Sequence, residues 1–273
     1  MRRMLFVLAC LVPFNDTSSA QAVPGDRVLL EDLNWLEVRE LVPAVVATIL
    51  VPAGTVEPHG VINNGADNTV PYEMARRLAP RVNALVAPTI PYGVTVTLDE
   101  YPGALGVSAE TYERYAYEAL LSLAHAGFEN IVILNGHGPN GDPLRAAAER
   151  VFRETDARLL VTEWWTMTAD LVDEVYGTEG GHAGNNETAG VLAVRPDLVH
   201  PELYTGPDMA TAGADGWTAY PFPSSIVLYR DGEGYPDFDT DKAERFFTGV
   251  LDRMESVILD VIAKWERIGN AKH

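Results

Sequence analysis

Short runs of β-branched and aliphatic residues alternate with helix-like segments through the middle of the chain. The runs at 45–51 and 130–134 lead into proline, asparagine and glycine, which is typical of buried strands that end in a loop. Segments 69–78 and 108–126 instead carry apolar residues three or four positions apart, as one face of a helix does. Strands joined by helices pair in parallel, and a parallel sheet is covered on both faces. We therefore predict an α/β fold, a three-layer α/β/α sandwich with a mainly parallel central sheet.

The alternation continues beyond these segments. We predict short strands at 83–87 and 157–161 and a helix over 142–154. From residue 240 onward an apolar stripe recurs every three or four residues, which predicts a helix that packs in the core or at a subunit interface. Residues 196–239 follow neither period and are rich in proline, glycine and aromatic residues. We expect that stretch to form a long excursion near the functional site or at a subunit contact.

The charge balance excludes two broad classes of function. The 273 residues include 39 acidic residues against 20 lysines and arginines, so the formal net charge is −19. A nucleic-acid-binding protein needs a basic face to contact phosphates, and a protein bound to anionic lipids needs one as well. Apolar residues make up 47% of the chain and charged residues 22%, which are ordinary values for a globular domain. We therefore expect a small-molecule substrate and no nucleic-acid partner.

The N-terminus has the pattern of a cleaved signal peptide over residues 1–22. Two arginines precede a short apolar run, and a small-residue cleavage site follows at 19–22. The run is too short for a permanent membrane span, so we expect a periplasmic or secreted protein with no stable membrane insertion after cleavage. A lipoprotein box ending at Cys10 is the weaker alternative. Residues 23–273 are predicted to form a single domain, which contains no cysteine, so its metal ligands must be histidines and carboxylates.

Polar side chains cluster where the predicted strands end. Glu57 and His59 follow the first strand and, two residues apart in an extended segment, point to the same side. Asp67 can return to the same place across a glycine-containing loop. His137 directly follows the strand at 130–134 and has a glycine on each side, which lets the backbone turn sharply. Because ligands bind beyond the carboxyl ends of the strands in open α/β sheets, we expect these side chains to meet.

A third cluster lies further along the chain. His182 and Glu187 are five residues apart on a glycine-rich loop that enters a helix, and they can face one pocket. A lone histidine near glycine is more often structural than a ligand. Here three of the six histidines lie in glycine-rich loops beside carboxylates or amides, and the three clusters together predict a metal site. Imidazole and carboxylate ligands suit zinc, manganese or iron.

Over roughly residues 40–192 the chain resembles the creatininase (creatinine amidohydrolase) family. Three motifs carry the resemblance, in this order: Glu57-x-His59-Gly60 with Asp67, Asn135-Gly-His137-Gly-x-Asn140, and Gly181-His182-Ala183 with Glu187-Thr188. The resemblance implies a creatininase-like α/β sandwich and a two-metal centre that hydrolyses amide C–N bonds, often in a homohexamer. Activities in the family include opening a cyclic amide, removing a formyl group from a pyrimidine precursor, and peptide cleavage.

The resemblance also implies roles for six side chains. Those that match the family's metal ligands, with Asp67 as the bridge, are Glu57, His59, Asp67, His137 and Glu187. His182 matches the histidine proposed to handle protons, and we assign catalytic roles to His182 and Glu187. Pro139 stands where creatininase itself has a liganding glutamate. That departure argues against creatinine as the substrate and shifts a ligand role for the second metal to Glu187.

These inferences predict a metal-dependent hydrolase of carbon–nitrogen bonds other than peptide bonds, acting on a cyclic amide, a formamide or a small peptide-like substrate. We expect two divalent ions per chain, zinc first and manganese or iron as alternatives, which activate a water molecule. His182 then donates a proton to the leaving nitrogen, because an amine anion leaves poorly. A role for His182 as a hydrogen-bonding partner of a ligand is the alternative.

Other interpretations stay open at this stage. Trp164 and Trp165 follow a predicted strand and either flank the substrate or pack in the core. The same kind of site could hydrolyse another bond, such as that of a peptide, a lactone or a formamide. A periplasmic metal-binding or solute-binding protein is the alternative from another class, and a hexameric scaffold that has lost its chemistry is a third.

Overall fold

The structure, a computed structural model, describes residues 27–95, 98–178, 180–205 and 235–269. The predicted signal peptide and most of the predicted excursion at 196–239 lie outside the described residues. Within the described ranges, none of the helices combines the length and the hydropathy that crossing a bilayer requires.

The centre of the molecule is a parallel sheet. The described part of the chain contributes four strands to it: β1 (Thr48–Ala53), β2 (Ala84–Val86), β3 (Asn130–Asn135) and β4 (Arg158–Glu163). Their order across the sheet is β2-β1-β3-β4, and every neighbouring pair is parallel. Leu50 of β1 lies opposite Val86 on one side and Val132 on the other. The predicted parallel sheet is confirmed, and all four strands lie at the predicted places.

The bounds of β1 differ from the prediction at both ends. The strand starts at Thr48, because the amides of Val45 and Val46 still donate to the carbonyl of Leu41 in the preceding turn. Pro52, which was expected to end the strand, lies inside it and is in register with Leu134. Proline has no amide hydrogen to donate, yet its carbonyl oxygen accepts from the amide of Ile90 at 2.9 Å. The strand therefore continues to Ala53.

Helices cover both faces of this sheet. The described α-helices are α1 (Trp35–Leu41), α2 (Ala66–Leu78), α3 (Ala109–His125), α4 (Gly141–Glu154), α5 (Trp164–Met167), α6 (Ala169–Tyr176), α7 (Asn185–Val194) and α8 (Thr240–Ile268). The helices predicted at 69–78, 108–126, 142–154 and from 240 onward are confirmed. Sequence periodicity missed α1, α5 and α6, because none of them exceeds 8 residues.

Alternate residues of the central strands face opposite layers, as the pleat of a strand requires. Leu50 and Val132 belong to a core that includes residues of α2, α7 and α8. Ile49 and Ile131 belong to a second core, which includes residues of α3 and α4. The predicted three-layer α/β/α arrangement is thereby confirmed.

The stripe predicted along the C-terminal helix is buried in its first half. Phe247, Val250 and Met254 of α8 are at most 1% exposed and belong to the first core. Further along, Val257 and Trp265 are only half-buried. The Asp239 side chain caps the helix, because its carboxylate accepts from the amides of two residues in the first turn.

The order of the strands opens a crevice between β1 and β3. From β1 the chain moves through α2 to β2 on one side, and from β2 it crosses through α3 to β3 on the other side. The loops that leave β1 and β3 therefore diverge, which defines a topological switch point beyond the carboxyl ends of these two strands. Glu57, His59 and His137 all lie on these two loops.

Two glycines let helix α2 rest on the ends of these strands. Gly54 follows β1 and Gly136 follows β3, and a Cβ atom at either position would overlap the carbonyl oxygen of Asp67. The first turn of α2 thus packs directly against the backbone at both strand ends. Since Asp67 belongs to this turn, the two glycines fix its distance from the crevice.

We predict that Gly54→Ala destabilises the protein by about 2–3 kcal/mol, because the new methyl group must displace the backbone of α2. Chemical denaturation measures this change in the free energy of unfolding. Gly181→Ala is the matched control, since a Cβ atom at that position meets no atom within 4 Å. Equal stability of the two variants would contradict the packing role of Gly54.

Candidate metal centre

The crevice gathers the side chains predicted as metal ligands. Glu57 and His59 follow β1, His137 follows β3, and Asp67 is the second residue of α2. These four residues are at most 5% exposed. Glu187 reaches the same place from the first turn of α7 and is partly buried. The structure therefore brings all five predicted ligands together, although they come from three separate parts of the chain.

Asp67 lies in the middle of this group. One of its oxygens, Oδ1, is 3.0 Å from Nε2 of His59. The other oxygen, Oδ2, is 2.8 Å from Nδ1 of His137. Glu57 Oε1 lies 3.4 Å from the same nitrogen of His137, and Glu187 Oε2 lies 3.5 Å from His59 Nε2. Each oxygen of Asp67 thus faces a different histidine and a different half of the site.

The ligand atoms divide into two overlapping triads. The first is Glu57, Asp67 and His137, and the second is His59, Asp67 and Glu187. Within each triad the candidate ligand atoms lie within 4.8 Å of one another. Asp67 belongs to both triads, so its carboxylate oxygens are within reach of the other candidate ligand atoms of each. Glu57, His59 and His182 form a third group of the same dimensions, so His182 is also within reach of a cation.

Backbone carbonyls fix the ring orientation of both histidine ligands. Nδ1 of His59 lies 2.9 Å from the carbonyl oxygen of Glu57, and Nε2 of His137 lies 2.7 Å from that of Val94. A carbonyl oxygen only accepts, so each of these ring nitrogens must carry the hydrogen. The remaining nitrogens, Nε2 of His59 and Nδ1 of His137, point at Asp67. Such an outer hydrogen bond is the usual way to orient a metal-binding imidazole.

Buried polar atoms in the centre fit a cation. Nε2 of His59 and Oδ2 of Asp67 are buried and form no hydrogen bond of acceptable geometry with a described residue, although an atom of another candidate ligand lies within 3.0 Å of each. Leaving buried polar atoms unpartnered is costly. Ligands of one ion approach each other in this way, because each directs a lone pair at the cation rather than at its neighbour. The donor set of imidazoles and carboxylates suits zinc, manganese or iron.

The carboxylates dominate the electrostatics of the metal-free centre. Burial lowers the pKa of His59, but the nearby charges of Asp67, Glu187 and Glu57 outweigh it and raise that pKa to about 10. The pKa of His137 is raised to about 10 for the same reason, with burial opposed by Asp67 and Glu57. Burial raises the pKa of Asp67, yet the two histidines bring it well below its usual value. A site that attracts protons this strongly also attracts divalent cations.

A strained loop holds His182 and Glu187. Ala183, between them, has a φ of 53°, in the left-handed region that residues with a side chain rarely adopt. Its amide donates to Oε2 of Glu187 at 2.6 Å, and its carbonyl accepts from the Thr188 hydroxyl at 3.3 Å. These bonds lock the conformation in which both predicted catalytic side chains face the crevice. Such strain is typical of functional sites.

His182 is oriented in the same manner as the ligands. Its Nε2 lies 2.7 Å from the carbonyl oxygen of Pro58, so Nδ1 is the free ring nitrogen and lies 3.5 Å from Oε1 of Glu57. Burial and the charge of neighbouring His59 lower the pKa of His182 to about 4, so the ring is neutral at pH 7. Burial also raises the pKa of Glu187, to about 7.

The centre forms one end of a cavity of about 990 Å³. Pro139 and Leu98 line one part of the wall, and Trp165 of α5 lines another. Of the two tryptophans that the sequence left undecided, Trp165 borders the cavity, whereas Trp164 is 3% exposed and packs against Phe246 in the core. The cavity is of the size of known small-molecule sites.

Sequence reasoning missed the residues that hold the ligands in place. Asn140 is fully buried; its Oδ1 accepts from the amide of Val94 at 2.9 Å and its Nδ2 donates to the carbonyl of Gly54 at 3.0 Å. It thereby holds the backbone at Val94, the residue whose carbonyl orients His137. The Asn135 side chain bonds both the amide and the carbonyl of His137. Both asparagines lie in the quoted motif, but the motif does not reveal their partners.

Fold and site together define a class: an α/β protein with a candidate metal centre of histidines and carboxylates at the carboxyl ends of its parallel strands. Within that class the chain belongs to the creatininase family, because the family model for creatinine amidohydrolase matches residues 31–258. The predicted family is therefore confirmed. So is the predicted class of enzyme, a hydrolase that acts on carbon–nitrogen bonds other than peptide bonds.

Individual relatives agree with this membership. The creatinine amidohydrolase of Pseudomonas putida is 27% identical over 191 residues, which cover 63% of this chain and 74% of the relative. A mycofactocin precursor peptide peptidase of Mycobacterium ulcerans is 28% identical over 170 residues, covering 58% of this chain and 62% of the relative.

A solved structure of creatinine amidohydrolase superimposes with a TM-score of 0.76 at 22% identity, covering 85% of this chain and 96% of that one. Other creatininase structures are described as manganese and as zinc–zinc forms.

We predict that Asn140→Ala lowers the affinity for one divalent ion by about 10–100-fold, because the Val94 carbonyl then no longer fixes His137. Competition with a chromophoric chelator measures the affinity for the metal in the variant and in the parent protein. Asn130→Ala is the matched control: Asn130 is 3% exposed and bonds Thr48 at the opposite end of β3. Both variants lose a buried hydrogen bond and some stability, and loss of metal affinity in both would refute a specific role for Asn140.

Metal binding should release protons at pH 7. The pKa of His59 and that of His137 are raised to about 10 in the metal-free protein, so both rings are protonated at pH 7, whereas a metal-binding imidazole is neutral. Raising the pH toward 10 removes the competing protons, so affinity should rise by about tenfold per pH unit for each imidazole. Calorimetric titration with zinc in buffers of different ionisation enthalpy counts the released protons. An affinity independent of pH between 6.5 and 8.5 would contradict this.

Proposed function

We propose that this protein is a metal-dependent amidohydrolase that uses two divalent ions to cleave the C–N bond of a cyclic amide, a formamide or a small peptide-like substrate. The observation that carries the proposal is the shared Asp67 carboxylate, whose two oxygens face the two triads. A binding protein for a single ion would need only one of these triads.

The charges of the ligands suit a pair of ions. Glu57, Asp67 and Glu187 would offset three of the four positive charges of two divalent cations, so one positive charge remains to favour a hydroxide. When bound, such ions supply an activated water and stabilise negative charge on the amide oxygen. The chain's own contribution is to hold the ligands in fixed orientations, through the carbonyls of Glu57 and Val94.

His182 is placed to move the proton. Its Nε2 is held by the Pro58 carbonyl, so Nδ1 can take a proton from the attacking water and deliver it to the leaving nitrogen. Transfer to nitrogen is required because an amine anion is a poor leaving group. The alternative for this residue, a further metal ligand or ligand-orienting group, is compatible with the same position.

Peptide hydrolysis is the second candidate function. The similarity to a mycofactocin precursor peptide peptidase favours it, and so does a cavity of about 990 Å³, which exceeds what a small cyclic amide fills. Pro139 on the cavity wall removes the glutamate found in creatininase and leaves an apolar surface there. These observations support screening short peptides beside creatinine and formamides.

Two further proposals concern the location of the enzyme and its oligomeric state. The charged and apolar pattern of residues 1–22 supports a cleaved leader and a periplasmic or secreted location. The resemblance to creatininase supports a homo-oligomer, with a hexamer as the expected form.

The proposed function is tested by metal content and activity together. We expect about two zinc, manganese or iron ions per chain in protein purified without chelator. Asp67→Asn should lose at least one ion and all activity while the fold survives. His182→Gln should keep both ions but lose about 10²–10⁴-fold in kcat, because only proton transfer is removed. Elemental analysis and a screen of cyclic amides, formamides and short peptides give these readouts.

His200→Gln is the matched control for His182, since His200 lies outside the crevice and its side chain is 53% exposed. It should change neither metal content nor activity. Protein that binds no metal and gains no activity with added zinc or manganese would overturn the proposal in favour of a scaffold. Bound metal with no turnover of any amide would favour a metal-binding protein, and full activity in Asp67→Asn would exclude the bridging role.

A further inference from the structure

The cavity beside the metal centre is lined by several acidic side chains. Among the described residues that line it there is no lysine or arginine. Four acidic residues line it, and three of these, Glu57, Asp67 and Glu187, belong to the candidate metal triads. The fourth is Asp173, which lies on α6, outside the group of ligands.

The carboxylate of Asp173 has no structural partner among the described residues. Asp173 is exposed, and its side chain forms no ion pair or hydrogen bond with any described residue. Only its backbone carbonyl is engaged, by the amide of Gly177 at the end of the helix. Asp170 on the same helix differs, because its carboxylate pairs with Arg253 at 2.7 Å. The Asp173 carboxylate is thus available to a molecule that enters the cavity.

The cavity is marked as a ligand site independently of its acidity. Oδ2 of Asp67, a residue that lines the cavity, is buried and forms no hydrogen bond of acceptable geometry with a described residue, although Nδ1 of His137 lies 2.8 Å away. Two divalent ions would neutralise the three ligand carboxylates, and a bound hydroxide would cancel the one positive charge that remains. The charge of Asp173 is not balanced in this way, so it remains on the wall of the loaded cavity.

We infer that Asp173 selects the substrate, and that the preferred substrates are amides that carry a positively charged group, such as an ammonium, away from the bond that is cleaved. This inference rests on the proposed function and narrows its substrate class. A carboxylate with no lysine or arginine among the described residues around it favours an ammonium over an uncharged group of the same size. The net charge of −19 also favours positively charged substrates, because it raises the concentration of cations near the protein.

The test compares two probes that differ only in charge: N-(4-aminobutyl)formamide, which is cationic at pH 7, and N-pentylformamide, which is neutral. Binding is measured by calorimetry on metal-loaded His182→Gln protein, so that turnover does not disturb the titration. We expect the cationic probe to bind about fivefold more tightly, as is typical of a partly exposed ion pair. Asp173→Asn in the same background should abolish the preference, and 0.5 M salt should reduce it by screening.

Glu174→Gln is the matched control, because it removes the same charge one residue away without touching the cavity lining. It should keep the preference. Equal binding of the two probes to the parent protein, or an unchanged preference in Asp173→Asn, would overturn the inference. So would an equal loss in Glu174→Gln, which would mean that only overall charge matters.

Failure of the inference is distinguishable from failure of the proposed function. If the protein with an intact His182 hydrolyses amides but Asp173→Asn leaves the ratio of kcat/KM for cationic and neutral amides unchanged, the inference alone is wrong. If no amide is hydrolysed, the proposed function fails. In that case a binding preference that depends on Asp173 still supports the cation subsite.

Discussion

A buried carboxylate that contacts a histidine through each of its oxygens organises this protein. Asp67 meets His59 on one side and His137 on the other, and these histidines arrive from different strands. The contact is possible only because α2 packs onto the ends of both strands, where Gly54 and Gly136 leave room for its backbone. The order of the strands and the packing of α2 therefore together determine the position of the Asp67 side chain.

This arrangement opposes the stability of the metal-free fold. Three carboxylates and three histidines share one largely buried region, and buried charges cost free energy unless they are paired or bind a cation. The left-handed backbone at Ala183 adds local strain in the same place. Two well-packed cores on either side of the sheet compensate for these costs. The buried charges and the left-handed residue thus lie in the segments that form the site, as is common at functional sites.

Much of the fold could be predicted from the sequence because it depends on periodicity. Strands such as 130–134 and long helices such as α3 repeat a local pattern, and the ligands follow strand ends. What could not be predicted depends on contacts between distant segments. The Val94 carbonyl that orients His137 lies 43 positions away, and Asn140 reaches Gly54 over 86 positions. Trp164 and Trp165 are neighbours and have the same sequence context. The direction of the short helix α5 places the first in the core and the second on the cavity wall.

The ligands and part of the cavity wall come from different segments of the chain. Every candidate ligand lies on the loops after β1 and β3 or in the first turns of α2 and α7, whereas Trp165 and Asp173 lie on α5 and α6, which follow β4. Since β4 lies at one edge of the sheet that the described strands form, α5 and α6 can change sequence without moving the ligands on the loops after β1 and β3. Related enzymes could therefore acquire new substrates by varying one edge of the sheet while the metal chemistry stays the same.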